Sequence, residues 1–304
     1  MSLTTKPSSL SRRELLAGAL AVPFGIDAIS GVTEAHGQVG ALDPPPYTIS
    51  INIEIMFPRT MPKADRIRAV AANGFKAYSF WNSTPEERPA MIRAQQETGL
   101  TCVSIVGTGS AGGSTGFTRP GQADVLLGEI RERVEIAKQF GTPDLISFVG
   151  LYQTDVPWEV QRAGIVEGLK RAGDIAAAGG VMITYEPLSD RPRRALDRTE
   201  EAYPVIQEVN HPNVKICFDI YHLQRTEGDI VVNMRQGFAD NLIKVVQIGD
   251  NPGRLEPGTG ELNYPFIFRE LRQLGYSGYL DTEMGTSSTP EHAMEVVRQM
   301  SLDN

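Results

Sequence analysis

Four apolar runs in the second half of the chain stop at side chains that carry oxygen. They are Thr184-Tyr185-Glu186-Pro187, Cys217-Phe218-Asp219-Ile220-Tyr221-His222, Val246-Gln247-Ile248-Gly249-Asp250 and Asp281-Thr282-Glu283-Met284-Gly285. If these are the ends of neighbouring strands, about 4.8 Å apart, the four groups converge on one point. Three carboxylates so placed repel one another and raise their own pKa values, and a divalent cation removes that conflict. Glu186, Asp219 and Glu283, with the amide oxygen of Gln247, make an all-oxygen ligand set. Hard oxygen donors suit Mg²⁺ or Mn²⁺ better than Zn²⁺. A single acid at a strand end could be an ordinary solvated loop residue. Four polar groups, each closing an apolar run, argue for a site.

The elements that must position these groups repeat along the chain after Pro46. Strand candidates lie at 49–57, 75–80, 101–106, 145–149, 181–186, 215–219, 243–248 and 279–283. Several are unbroken apolar stretches, as in parallel strands covered on both faces. Helical stretches lie between and after them, at 63–73, 85–98, 122–140, 157–178, 199–209, 229–239, 264–274 and 290–299. Gly74 and Gly99 follow two of these helices, where a left-handed residue closes the last turn, and Pro85 and Pro157 stand near helix starts. Eight strands alternating with eight helices predict an α/β fold, a single-domain (β/α)8 TIM barrel over residues 47–304, whose chemistry gathers at the C-terminal strand ends. The rival doubly wound sheet lacks its usual fingerprint, because no G-x-G-x-x-G follows the first strand. The glycine-rich run from Gly107 to Gly113 has the wrong spacing for a phosphate loop and reads as a loop over the barrel mouth. Cys102 and Cys217 sit in apolar runs and read as buried thiols, with no zinc or disulfide pattern.

Three motifs carry a family resemblance. They are Tyr185-Glu186-Pro187-Leu188, Phe218-Asp219-Ile220-Tyr221-His222-Leu223-Gln224, and the long run Val246-Gln247-Ile248-Gly249-Asp250-Asn251-Pro252-Gly253-Arg254-Leu255-Glu256-Pro257-Gly258-Thr259-Gly260-Glu261-Leu262-Asn263-Tyr264. Over about residues 48–300 the chain resembles the hydroxypyruvate isomerase family and, more widely, the xylose isomerase-like isomerases and epimerases. The resemblance implies a metal on Glu186, Asp219, Gln247 and Glu283, with the two glutamates moving the substrate proton. It also implies that His222 and Arg254 hold substrate oxygens. The chemistry agrees with this. A metal chelating a carbonyl and its neighbouring hydroxyl stabilises an enediolate, while one glutamate removes a carbon-bound proton and the other returns one. Which glutamate does which is open at this point. A guanidinium at Arg254 would suit a substrate carboxylate.

Departures from the family fall on the substrate side. Ser79 stands where the family usually has an acid, Ser104 to Thr108 lack its histidine, and Leu151 and Tyr152 stand where a lysine often follows strand four. Hydroxypyruvate itself therefore does not follow. Trp81, Tyr152 and Trp158 are candidates for a more apolar mouth. The same metal site would serve a sugar epimerase or an inosose-type dehydratase. A metal hydrolase would be expected to use more histidines than the four here, of which only His222 ends a strand. A non-catalytic binding protein would not need both glutamates.

The chain has 304 residues, 41% hydrophobic and 22% charged, with a formal net charge of −8, which gives no support for nucleic-acid binding. The first 46 residues differ from the rest. Ser11-Arg12-Arg13-Glu14-Leu15-Leu16 precedes a short apolar stretch, then small and polar residues and Pro44-Pro45-Pro46. This reads as a twin-arginine signal peptide and Pro-rich linker, cleaved near Gly37 or Ala41. The apolar part is too short for a membrane span and contains Asp27. The expected partners are a small-molecule substrate and the twin-arginine (Tat) export machinery, and the expected location is periplasmic. A disordered cytosolic tail is the alternative, which would leave the protein cytoplasmic. Homo-oligomerisation is left open by the sequence.

Overall fold

The computed structural model describes residues 44–109 and 113–304. The arginine pair at 12 and 13 and residues 110–112 of the glycine-rich run lie outside the described residues. The apolar runs form nine parallel strand segments: β1 Thr48–Asn52, β2 Ala77–Ser79, β3 Thr101–Cys102, β4 Ser104–Val106, β5 Asp144–Ser147, β6 Met182–Tyr185, β7 Val214–Asp219, β8 Ile243–Gln247 and β9 Tyr279–Thr282. Their order in the sheet is β3-β2-β1-β9-β8-β7-β6-β5-β4. The third predicted strand is therefore present in two pieces, interrupted at Val103. Its first half pairs with β2 and its second with β5. Backbone bonds from Phe80 N–H to the Ser104 carbonyl (3.3 Å) and from Val106 N–H to the Trp81 carbonyl (3.1 Å) bridge the two ends of the sheet. The result is the predicted TIM barrel.

Helices α1 Lys63–Ala72, α2 Arg88–Thr98, α3 Ala123–Phe140, α4 Trp158–Gly179, α5 Thr199–Val209, α6 Ile220–Thr226, α7 Ile230–Ala239, α8 Tyr264–Gln273 and α9 Pro290–Leu302 surround it. On α3 the buried positions Leu126, Leu127, Ile130, Val134, Ala137 and Phe140 recur at helical spacing. Each large apolar side chain so buried contributes about 1.5–3 kcal/mol. Gly99 caps α2 at φ 68°, the left-handed position expected from the sequence. The second predicted helix starts at Arg88 rather than Pro85. The short helix α6 was not anticipated. It follows β7 with no intervening loop because Asp219 serves as its N-cap, accepting from Tyr221 N–H at 2.8 Å.

The main apolar core lies between strands and helices, and a smaller cluster of Ile146, Cys217 and Val245 packs with Phe148. Both cysteines are free and buried, as expected. Among the described residues, no helix is long and apolar enough to cross a membrane.

Candidate active site

Register sets the site. Asp219 of β7 lies beside Gln247 of β8, which lies beside Asp281 of β9. Side chains of paired positions share a face, so these three point the same way, and the two-residue repeat carries Glu283 to that face just past the end of β9. Glu186 follows β6 directly, its N–H bonded to the Ser147 carbonyl at 3.2 Å. A cavity of about 560 Å³ opens over these strand ends, with Glu186, His222, Arg254 and Glu283 in its wall. The six residues singled out in the sequence thus converge. Glu186, Asp219 and His222 offer ligand atoms all within 4.8 Å of one another.

The site is crowded with buried acid. Glu186, Asp219 and Glu283 are 3%, 1% and 6% exposed. Burial pushes the Glu186 carboxyl far above the usual carboxylate range, and Glu283 and Asp219 push it further. The Glu186 Oε1 atom is buried without a hydrogen-bond partner among the described residues. Burial also raises the Glu283 carboxyl to about 7, against the lowering effect of Arg254. Arg254 supplies most of the local positive charge. Its Nη2 lies 2.9 Å from Asp219 Oδ2 and 2.5 Å from Glu283 Oε1, and its guanidinium sits over the Tyr221 ring at 4.9 Å. The guanidinium is thus engaged with the carboxylates rather than turned to an incoming anion. An unpartnered carboxylate oxygen among three buried acids is a donor set that fits a divalent cation.

Gln247 is turned so that its Nε2 donates to Glu283 Oε2 (2.7 Å) and Asp281 Oδ2 (3.1 Å), while its Oε1 accepts from the Cys217 thiol (3.1 Å). A half-turn of the amide would present the oxygen to the acids' side instead. His222 is oriented from behind. Ser189 N–H and Oγ both approach its Nδ1, at 3.2 and 2.9 Å, and Arg225 Nε donates to the same Oγ. Burial lowers the imidazole to about 4, so the ring is neutral. With Nδ1 accepting, the proton sits on Nε2, which lies 3.7 Å from Asp219 Oδ2 and 3.9 Å from Glu186 Oε1. In this arrangement His222 presents an N–H toward the carboxylates.

The loop that delivers Arg254 is built around Asp250. This carboxylate, 1% exposed, accepts from the N–H groups of Asn251, Gly258, Gly260 and Leu262. At Gly260 a Cβ would fall 1.7 Å from the Asn251 carbonyl oxygen, so only glycine fits the fold-back. Glu256 ties the loop to the segment after β9 by accepting from Ser287 N–H.

Asp281 was missed in the sequence. It lies inside β9, fully buried, and accepts both contacts of Ser79 Oγ at 2.8 and 2.9 Å. The signal that could have found it is the two-residue spacing from Glu283. Ser79, which stands where an acid was expected, thus supports Asp281. Of the three aromatic candidates for the mouth, Trp81 lines the cavity. Tyr152 and Trp158 do not. They pack on each other at 6.2 Å, with Arg193 over Tyr152. Gly109 and Gly113 of the glycine-rich run line the cavity, in keeping with a loop at the mouth.

Residues 67–301 match the family model described as xylose isomerase-like TIM barrel. The chain is 33% identical over 224 residues to the 2-oxo-tetronate isomerase of Cupriavidus necator, covering 72% of this chain and 85% of the relative. It is 29% identical over 241 residues to the hydroxypyruvate isomerase of Escherichia coli, covering 79% and 84%. Among solved structures it resembles a family 2 AP endonuclease from Brucella melitensis, with TM-score 0.72 and 25% identity over 82% of this chain and 96% of that one. It also shares its fold with 3-keto-D-glucoside 4-epimerase from E. coli, with TM-score 0.70 and 19% identity over 84% and 98%.

Proposed function

Since the chain belongs to the xylose isomerase-like TIM barrel family and its relatives are isomerases, we propose that it isomerises a small hydroxy-carbonyl compound by proton transfer through an enediolate. The observation that carries this reading is the pair Glu186 and Glu283, buried carboxyls with raised pKa values facing one cavity. Glu186, Asp219, Glu283 and the Gln247 amide oxygen would hold a divalent cation, Mg²⁺ or Mn²⁺. What such a cation supplies is stabilisation of negative charge developing on the substrate oxygens.

The chain's own groups do the rest. One of the two glutamates takes the proton from the hydroxyl-bearing carbon, and the other returns a proton to the former carbonyl carbon. A carboxyl whose pKa has risen toward neutrality is a stronger base than an exposed one and holds the proton long enough to deliver it. His222 donates its Nε2 proton to a substrate oxygen, and its neutrality keeps it a hydrogen-bond donor rather than an acid. Arg254 holds the carboxylates in place. Sugar epimerisation would use the same glutamate pair and differs in the product, which separates the two readings.

The test is to incubate Mn²⁺-loaded protein with small keto acids, ketoses and inososes in D₂O. The expected result is deuterium at carbon in one substrate and its isomer. Absence of exchange with every compound would refute the reading.

The leader is likewise proposed to direct Tat export of the folded protein to the periplasm. Changing both Arg12 and Arg13 to Lys should retain the protein in the cytoplasm, and unchanged delivery would sink the idea.

A further inference from the structure

Three arginines line the cavity: Arg133, Arg194 and Arg254. Two are committed to acids. Arg254 pairs with Asp219 and Glu283, as described above. Arg194 holds Asp190 Oδ2 at 2.9 Å and lies over the Phe148 ring at 5.0 Å. Arg133, on α3, is partly buried, yet it makes no hydrogen bond or ion pair with any described residue. Its acidic neighbours Glu129 and Glu132, on the same helix, act on it only through space.

The surroundings of Arg133 make this more unusual. A second arginine, Arg88 at the start of α2, repels it, and the Nε atom of Arg88 is buried with no partner of its own. Burial works most strongly against the charged form of Arg133; Glu129 and Glu132 offset part of this, and Arg88 adds a smaller opposing effect. A guanidinium in the wall of a cavity with no bond to any described residue, beside a second arginine with a buried unpartnered Nε, is an arrangement an anion completes. The planar fork of a guanidinium matches a carboxylate or a phosphate with two parallel hydrogen bonds.

We propose that Arg133 determines specificity by receiving the anionic end of the substrate, so that the site takes an acidic hydroxy-carbonyl compound in preference to a neutral sugar. This rests on the isomerase reading of the cavity. It moves the recognition of an anion from Arg254, which the carboxylates engage, to the opposite part of the chain, on α3. It also accounts for a site that lacks the family's histidine and lysine after strands three and four: a cation has been supplied from a helix instead.

The test has two arms, both on the full-length Mn²⁺-loaded protein. The first is calorimetric binding of two non-reacting probes, tartronate as the carboxylate source and glycerol 3-phosphate as the phosphate source. Arg133→Gln should weaken the better-bound probe by roughly 10–100-fold. Arg133→Lys should recover part of the loss, because it keeps the charge but not the fork. Arg131→Gln, an exposed change on the same helix, should bind as wild type does. Whichever probe binds better identifies the terminus. Equal binding by wild type and Arg133→Gln, or no binding of either probe by wild type, overturns the proposal.

The second arm is proton exchange in D₂O. Arg133→Gln should raise KM for the acidic substrate more than it lowers kcat, and the preference for acid over neutral substrate should fall by roughly 10–100-fold. If wild type prefers a neutral sugar to every acid, the proposal fails while the isomerase reading stands. If nothing exchanges, the isomerase reading fails, and the binding arm still decides the role of Arg133.

Discussion

Ser189 occupies one ring nitrogen of His222, which leaves the other, with its proton, facing the carboxylates. Residue-scale arrangements of this kind decide what each group in the cavity can do, and they separate the two glutamates from their neighbours. Glu186 and Glu283 stand on the first and last staves of the arc β6–β9, so they can flank a substrate between them. Glu186→Gln and Glu283→Gln keep an oxygen for a cation and remove the base. Each should lose about 10²–10⁴-fold in turnover, the usual size of a general acid–base contribution. Metal-loaded variants that exchange carbon-bound protons at the wild-type rate would show that the glutamates are not bases. These residues were legible in the sequence because each closes an apolar run, where a carboxylate has no packing reason to be. Asp281 was not, since it sits within the strand, two residues before the Glu283 that marks its end. Arg133 was hidden for the opposite reason: in Arg131-Glu132-Arg133 it looks like any solvated helix face.

At the scale of elements, two acids bear on stability rather than chemistry, in opposite directions. Asp250 gathers four backbone N–H groups and so fixes the loop that carries Arg254 at φ 52°. Asp250→Ala should cost about 2–4 kcal/mol in denaturant unfolding, because donors left unpaired in a buried loop each cost about 1–3 kcal/mol and some will find water. Turnover should fall with it as Arg254 loses its placement. A variant as stable as wild type would contradict the role given to Asp250. Asp144, at the start of β5, is 1% exposed, its Oδ1 has no partner, and burial raises its carboxyl to about 6. The folded state therefore holds this proton more tightly than the unfolded chain does. Stability falls as pH rises from about 4 to about 6 and is then level. Asp144→Asn should be more stable than wild type at pH 7, by at most about 3 kcal/mol, with the gap closing as pH falls through that window. Urea titrations at pH 4.5 and 7 measure it, and a gap independent of pH would refute the assignment. The long motif from Val246 to Tyr264 was recognisable in sequence, but the role of Asp250 as its hub was not. Only the fold-back brings Gly258, Gly260 and Leu262 to one carboxylate. The helix α6 escaped because Asp219 ends a strand and caps a helix at once, leaving no loop to mark the boundary.

For the whole molecule, the alternation of strand and helix was enough to give the barrel, since parallel strands covered on both faces leave few other arrangements. The break at Val103 was not legible, because the sequence runs through it without a glycine or proline. A cation bound only by the native state must stabilise that state. Adding Mn²⁺ at about 100 times its Kd should therefore raise unfolding stability by about 2.7 kcal/mol, and Asp219→Ala should abolish the gain. An equal gain in the variant would place the cation elsewhere.

The order of the sheet also bears on how such an enzyme could be re-engineered. The carboxylates and the amide come from four adjacent staves, β6 to β9, whereas Trp81, Phe148 and Arg133 come from the other side of the ring, between β2 and β5 or just after them. On the reading proposed above, the proton-transfer groups and the anion-reading Arg133 would then lie on separate stretches of one polypeptide, with His222, Leu188, Asp190 and Arg194 adding to the cavity wall from the β6–β7 side. A library confined to residues 80–150 would sample new substrates while leaving every proton-transfer group at its post, and a chimera joined between β5 and β6 would transplant one property without the other.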